Sequence, residues 1–161
     1  TVTDGAERVS SSAVRAALAA GDLARAAQLL GRPYAISGRV LHGAKLGRTI
    51  GYPTLNLRIA HKRPAAHGVF AVRVHGVGPQ PLPGVASVGL RPTVDDSGRW
   101  LLEVHLFDFA ASIYGRLVRV EFLRKLRDEE KFDTLDALTA AIRSDAAAAR
   151  ALFAGAQHPL R

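Results

Sequence analysis

The sequence predicts a mainly β domain of six antiparallel strands, closed as a barrel or stacked as a sandwich, with a short helical segment before it and one helix after it. Three observations lead there. β-rich runs recur at Tyr34–Leu41, Thr54–Ile59, Val69–His75, Val85–Leu90, Trp100–Phe107 and Leu117–Leu123. Gly, Pro and Asp cluster between these runs and mark turns. Uninterrupted helix formers occur only near the two ends. Short strands and frequent turns are what antiparallel barrels and sandwiches require. With 161 residues and 48% hydrophobic content, the chain can bury one sizeable core.

Taken in order, residues 1–9 read as a frayed, polar terminus. Ser10, Ser11 and Ser12 can cap the helix AVRAALAA, which Gly21 ends. Asp22 caps a second helix, LARAAQLL, which ends at Gly31, and Pro33 bars its continuation. Residues 10–31 are therefore a helical hairpin. The six strands follow. A helix from about Leu135 to Phe153 closes the chain, capped by Asp133 and Thr134. Its core face is traced through Leu135, Leu138, Ile142 and Leu152.

Composition narrows the function. Net charge is +8, with 18 Arg against 4 Lys. Such a chain suits anionic partners, whether nucleic acid, an anionic membrane or small phosphorylated ligands. The arginines are spread along the chain rather than bunched, which favours the small ligands. There is no Cys, which excludes disulfides and thiolate metal sites and fits a cytoplasmic location. No apolar run approaches the ~18 residues of a membrane helix. The first residue is Thr and Met is absent, as expected of a processed start or of a piece of a longer protein.

The stretch Gly38–Asn56, GRVLHGAKLGRTIGYPTLN, carries the chemistry. It is small, basic and rich in bare backbone N–H groups, which suits a polyphosphate. It is not a Walker A loop, because Gly43, Lys45, Gly47 and Arg48 have the wrong spacing. Pro53 biases Tyr52 to an extended form. Thr54 and Asn56 then project to one face, as neutral oxygen ligands for a magnesium ion that already carries phosphates. Turn capping is the alternative use of these two side chains.

Glu103 is the second signal. In WLLEVHLF, Trp100, Leu102, Val104 and Leu106 share one face; Leu101, Glu103, His105 and Phe107 share the other. A carboxylate there can accept a proton from an alcohol. The alternative is an outer-face carboxylate paired with an arginine of Arg116–Arg124. His61 and His67 lie in a loop without metal-ligand spacing. The run Arg124–Lys131 reads as a solvated charged strip. Phe132 is either a hydrophobic staple for the last helix or a wall for a planar ligand.

These residues resemble the riboflavin kinase family, in which G-[FY]-P-T-x-N is the most specific element. The likeness continues through Gly68-Val69-Phe70, GVASVGLRPT (Gly84–Thr93), LEVHLFDF (Leu102–Phe109) and Leu126–Ile142, so it covers about residues 34–155. It implies a six-stranded antiparallel Greek-key barrel with a C-terminal helix. It also implies transfer of the ATP γ-phosphate to the ribityl 5′-hydroxyl of riboflavin, giving FMN and ADP. Thr54 and Asn56 would hold Mg²⁺ and the phosphates, and Gly43, Lys45, Gly47 and Arg48 would close on the nucleotide. Leu106, Asp108 and Tyr114 match positions near the nucleotide. Glu103 would be the general base. Arg127, Glu130 and Phe132 match the flavin-contacting segment. Leu55 stands where the family commonly has a small residue, and Ser87 where it commonly has Asn.

The N-terminal segment carries a second resemblance. Val9–Arg15, Gly21-Asp22 and Leu30–Tyr34 are similar to the junction in bacterial bifunctional riboflavin kinase/FAD synthetases. Residues 1–33 are then expected to be a helical linker left from an adenylyltransferase domain, and residues 34–161 the kinase domain. The parent protein would also adenylate FMN to FAD through a domain missing here. No nucleic acid or membrane partner is expected. A barrel for single-stranded nucleic acid would need aromatics interleaved with Arg or Lys, and at 6% aromatic content the chain shows no such pattern. A binding module that has lost catalysis would not be expected to keep Thr54, Asn56 and Glu103 together.

Overall fold

The computed structural model describes residues 11–41, 54–59, 64–91, 99–107 and 113–156, with the backbone of residues 3–4 and 7–8. Two short strands, β1 (Thr3–Asp4) and β2 (Glu7–Arg8), pair antiparallel where a frayed terminus is expected. Helices α1 (Ser11–Ala19) and α2 (Leu23–Leu30) form the hairpin. The Asp22 carboxylate caps α2 by accepting from the Arg25 N–H at 3.0 Å. Gly31 ends it at φ 77°, a left-handed conformation that glycine adopts without a side-chain penalty.

Six strands then close into one barrel: β3 (Ala35–Leu41), β4 (Leu55–Arg58), β5 (Gly68–His75), β6 (Leu82–Arg91), β7 (Arg99–Leu106) and β8 (Leu117–Arg127). The order around it is β3-β4-β7-β6-β5-β8, with every pair antiparallel. β4 crosses to β7, and β8 returns to β3, as in a Greek key. Closure decides between the barrel and the sandwich. It also removes the unpaired edges that an open sheet would expose.

Alternation sorts the side chains. Leu57, Phe70, Val72, Val104 and Val120 are completely buried inside the barrel. Phe70 packs edge-on to Phe122, with ring centroids 5.0 Å apart. Burying one side chain of this kind contributes about 1.5–3 kcal/mol. The interior is thus a packed core and not a channel. The apolar face of the α1–α2 hairpin joins this same core through Ala17, Leu18, Leu23 and Ala26.

Helix α3 (Leu135–Ala156) covers part of the outer surface. Thr134 Oγ1 caps it, accepting from the Ala137 N–H at 3.1 Å. Its buried stripe is Asp145, Ala146, Ala149 and Phe153, lying over Ala71 and Phe107. Of the face expected from the leucines, Leu152 packs against this stripe and Leu138 and Ile142 are half-buried, whereas Leu135 is 53% exposed. Small alanines let the helix approach the sheet closely. β8 also continues beyond Leu123 into the charged run, with register shifts against β5 that bend it around the barrel.

Tyr34 leads into β3 and packs on Phe122, with centroids 5.4 Å apart. Burial raises its phenol pKa above the ordinary value of 10.0. The folded state therefore keeps a proton that the unfolded chain loses first. That contribution is complete below pH 10.0 and disappears as pH rises through the folded value. Urea titrations on either side of that pH should show a smaller alkaline loss of stability in Tyr34→Phe than in the parent. Equal losses would refute the assignment.

Candidate active site

Strand register brings the site together on the outside of the barrel. In antiparallel pairs, directly opposed residues share a face. Leu41 on β3 opposes Asn56 on β4, and Asn56 opposes Glu103 on β7. Glu103 opposes Ser87 on β6, Ser87 opposes Val69 on β5, and Val69 opposes Arg127 on β8. One outward row thus crosses all six strands. It begins at Leu41, next to the Gly-rich stretch, and ends at Arg127, where the expected flavin segment starts.

The centre of the row is chemically unusual. Asn56 is only 3% exposed, and its Oδ1 is buried with no hydrogen-bond partner among the described residues. A buried, unpaired amide oxygen costs about 1–3 kcal/mol unless something accepts its lone pairs. A hard cation does so. Beside it stands Glu103, half-buried, and next is Ser87, whose hydroxyl donates to Glu129 Oε2. The residues directly opposite Glu103 on its two neighbouring strands are therefore an amide and a hydroxyl. Thr54, half-buried just before β4, has the same parity as Asn56. Leu55 points inward against the barrel core, opposite Val104, so the core accommodates its bulk.

At the far end, Arg127 is held firmly. Its Nε and Nη2 donate to the two carboxylate oxygens of Asp145 on α3, each at 2.8 Å. Its Nη1 donates to the Asp128 carbonyl at 3.0 Å, and its guanidinium carbon lies 5.7 Å from the centre of the Phe132 ring. The Asp145 carboxylate holds the guanidinium pKa above its ordinary value, with burial acting in the opposite direction. Lys125 Nζ approaches Asp128 Oδ1 at 2.6 Å and holds that exposed carboxyl below its ordinary value. Gly68, at φ 122°, lets β5 meet β8 here, because a Cβ on it would stand 2.8 Å from the Arg127 carbonyl oxygen.

Four of the other expected site residues lie within the described structure. Leu106 is 3% exposed and belongs to the barrel core. Tyr114 is 59% exposed in the turn before β8, where the Gly115 N–H donates to the Val40 carbonyl at 2.8 Å. Glu130 is exposed and Phe132 half-buried. Gly43, Lys45, Gly47, Arg48 and Asp108 lie outside the described residues. Asp145 and Glu129 were not anticipated. A carboxylate inside the alanine stripe of α3 is the signal that could have found Asp145.

Fold and row together describe a small barrel enzyme that keeps its polar groups on the outer wall. The comparisons name the family. The Flavokinase model, described as riboflavin kinase, matches residues 30–153. The chain is 51% identical over 153 residues to the bifunctional riboflavin kinase/FMN adenylyltransferase of Escherichia coli K12, covering 95% of this chain and 49% of that protein. It belongs to the riboflavin kinase family, and it spans about half the length of the curated relatives it matches. Riboflavin kinase from Trypanosoma brucei superposes with a TM-score of 0.55 at 26% identity, covering 79% of this chain and 82% of that one. A Streptococcus pneumoniae structure described as a macrolide-efflux protein gives 0.75 at 39% identity, covering 89% and 47%. Among the described residues, no helix is long and apolar enough to cross a membrane.

Proposed function

We propose that this chain transfers the γ-phosphoryl group of ATP to the 5′-hydroxyl of riboflavin, releasing FMN and ADP. The observation that supports this most is the outward row, which sets Glu103 between an unpartnered Asn56 oxygen and the Ser87 hydroxyl. Glu103 takes the proton of the 5′-hydroxyl as its oxygen bonds to the γ-phosphorus and the bond to ADP breaks. Asn56 and Thr54 orient the phosphates from one side, and Phe132 offers a flat face to the isoalloxazine from the other. Phosphoryl transfer depends chiefly on such positioning.

Mg²⁺ fits this arrangement, because the orphaned Asn56 oxygen is a hard neutral donor. When bound with ATP, it would neutralise charge on the phosphates. Asn56 and Thr54 are the residues that would hold it. Gly43, Lys45, Gly47, Arg48, Asp108, Leu106 and Tyr114 complete the nucleotide side in this reading, and Arg127, Glu130 and Phe132 the flavin side. For the whole protein, we extend the reading to a second activity, adenylation of FMN, which the relatives' names carry. Residues 1–33 then link that domain to the kinase at 34–161, in the cytoplasm.

Incubation with riboflavin, ATP and Mg²⁺, followed by chromatographic separation of the flavins, tests the reading. FMN without FAD is expected. Folded protein that forms no FMN would overturn it.

A further inference from the structure

The flavin end of the row takes its aim from residues outside it. β8 stops at Arg127, and residues 128–134 have neither helix nor strand to fix them. Glu129, Glu130 and Lys131 are exposed. Left to itself, such a segment samples many conformations and must lose that freedom when a ligand binds. Two side chains remote in sequence restrain it. Asp145, 7% exposed on α3, takes Arg127 in a bidentate grip. That geometry fixes the guanidinium plane and not merely its charge. The plane then fixes its neighbours, through the Asp128 carbonyl and the Phe132 ring. On the other side Ser87, next to Glu103 in the row, binds Glu129.

We infer that Asp145 and Ser87 are positioning residues for the flavin, pinning residues 128–132 at two points so that Phe132 stands as a preformed wall and the acceptor hydroxyl meets Glu103. This rests on the riboflavin kinase reading. Neither residue touches substrate in it. Asp145 acts through Arg127 and Phe132, and Ser87 acts through Glu129. Arg127 is correspondingly an anchor, because three of its N–H groups are already committed.

The test compares the parent with Asp145→Asn, Ser87→Ala, Ser87→Thr, Phe132→Leu and Asp145→Asn/Phe132→Leu. FMN formation by the parent judges the functional reading alone. The pins predict a rise of about tenfold in KM for riboflavin in Asp145→Asn and about threefold in Ser87→Ala, with KM for ATP within about twofold. Ser87→Thr, which keeps the hydroxyl, should restore the parent value. The double variant should be no worse than Phe132→Leu, because both changes act on one wall. Without any ligand, amide exchange across residues 128–132 should quicken in Asp145→Asn and in Ser87→Ala. An unchanged riboflavin KM, or both KM values rising together, would overturn the inference. So would unchanged exchange at 128–132, whether or not the parent makes FMN.

Discussion

Glu103→Gln is expected to lower kcat for FMN formation by about 10²–10⁴-fold while leaving riboflavin binding within about twofold. The substitution keeps the size of the side chain and removes its basicity. On the row Glu103 lies between Asn56 and Ser87, so an isosteric amide preserves the spacing across β4, β7 and β6. What is lost is an acceptor for the hydroxyl proton, worth about 3–5 kcal/mol of barrier at this rate loss. Single-turnover formation of FMN separates the chemical step from product release. Riboflavin fluorescence reports binding independently. Near-normal turnover in Glu103→Gln would remove Glu103 from the role of base and leave it as a polar member of the row.

Much of this was legible in the sequence because strands obey a simple rule. Period-two alternation in β7 separates Trp100, Leu102, Val104 and Leu106 from Leu101, Glu103, His105 and Phe107, and in the structure Leu102, Val104 and Leu106 are the ones in the core. The same parity gave Thr54 and Asn56 a common direction. The caps were equally local: Asp22, Gly31 and Thr134 each act within a few residues of their own position. The exception on β7 is informative. Phe107 has the parity of Glu103, yet it is buried because α3 lies over it, with Phe153 at a centroid distance of 6.5 Å. A helix docking on the outer wall cannot be deduced from the strand it covers.

Strand order, and with it the row, was not legible from the residues alone. Asn56 and Glu103 meet only because β4 crosses to β7, and alternation within a strand carries no information about its neighbour. The resemblance supplied a topology, but not the register. Polar contacts between elements escaped for a related reason. Arg127 and Asp145 are 18 residues apart, and Ser87 and Glu129 are 42 apart. Read locally, Arg124–Lys131 is a solvated strip. In the fold, Arg127 turns onto α3 because a carboxylate on the alanine face of that helix is within reach. On α3, Leu152 packs as its spacing suggests, but the centre of the buried stripe is Asp145, Ala146, Ala149 and Phe153, which leucine spacing does not mark.

Asn56→Ala is expected to reduce Mg²⁺-ATP turnover by about 10³-fold or more, and Thr54→Ala to act in the same direction. The Asn56 oxygen is an apparent defect. A buried amide oxygen with no partner among the described residues works against folding, and it is Leu57, the next residue, that fills the core, while Asn56 faces outward. Such a group makes sense if its partner arrives with substrate. Stability and activity should then separate. Asn56→Leu, with the same branching and number of side-chain heavy atoms and no unmet acceptor, should equal or exceed the parent in thermal stability and still fail to turn over. The loss should also depend on metal, so that raising Mg²⁺ recovers part of the activity of Thr54→Ala but little of that of Asn56→Ala. Full turnover in Asn56→Leu, or an unchanged Mg²⁺ dependence in both alanine variants, would mean that the orphaned oxygen serves some purpose other than the metal–phosphate site.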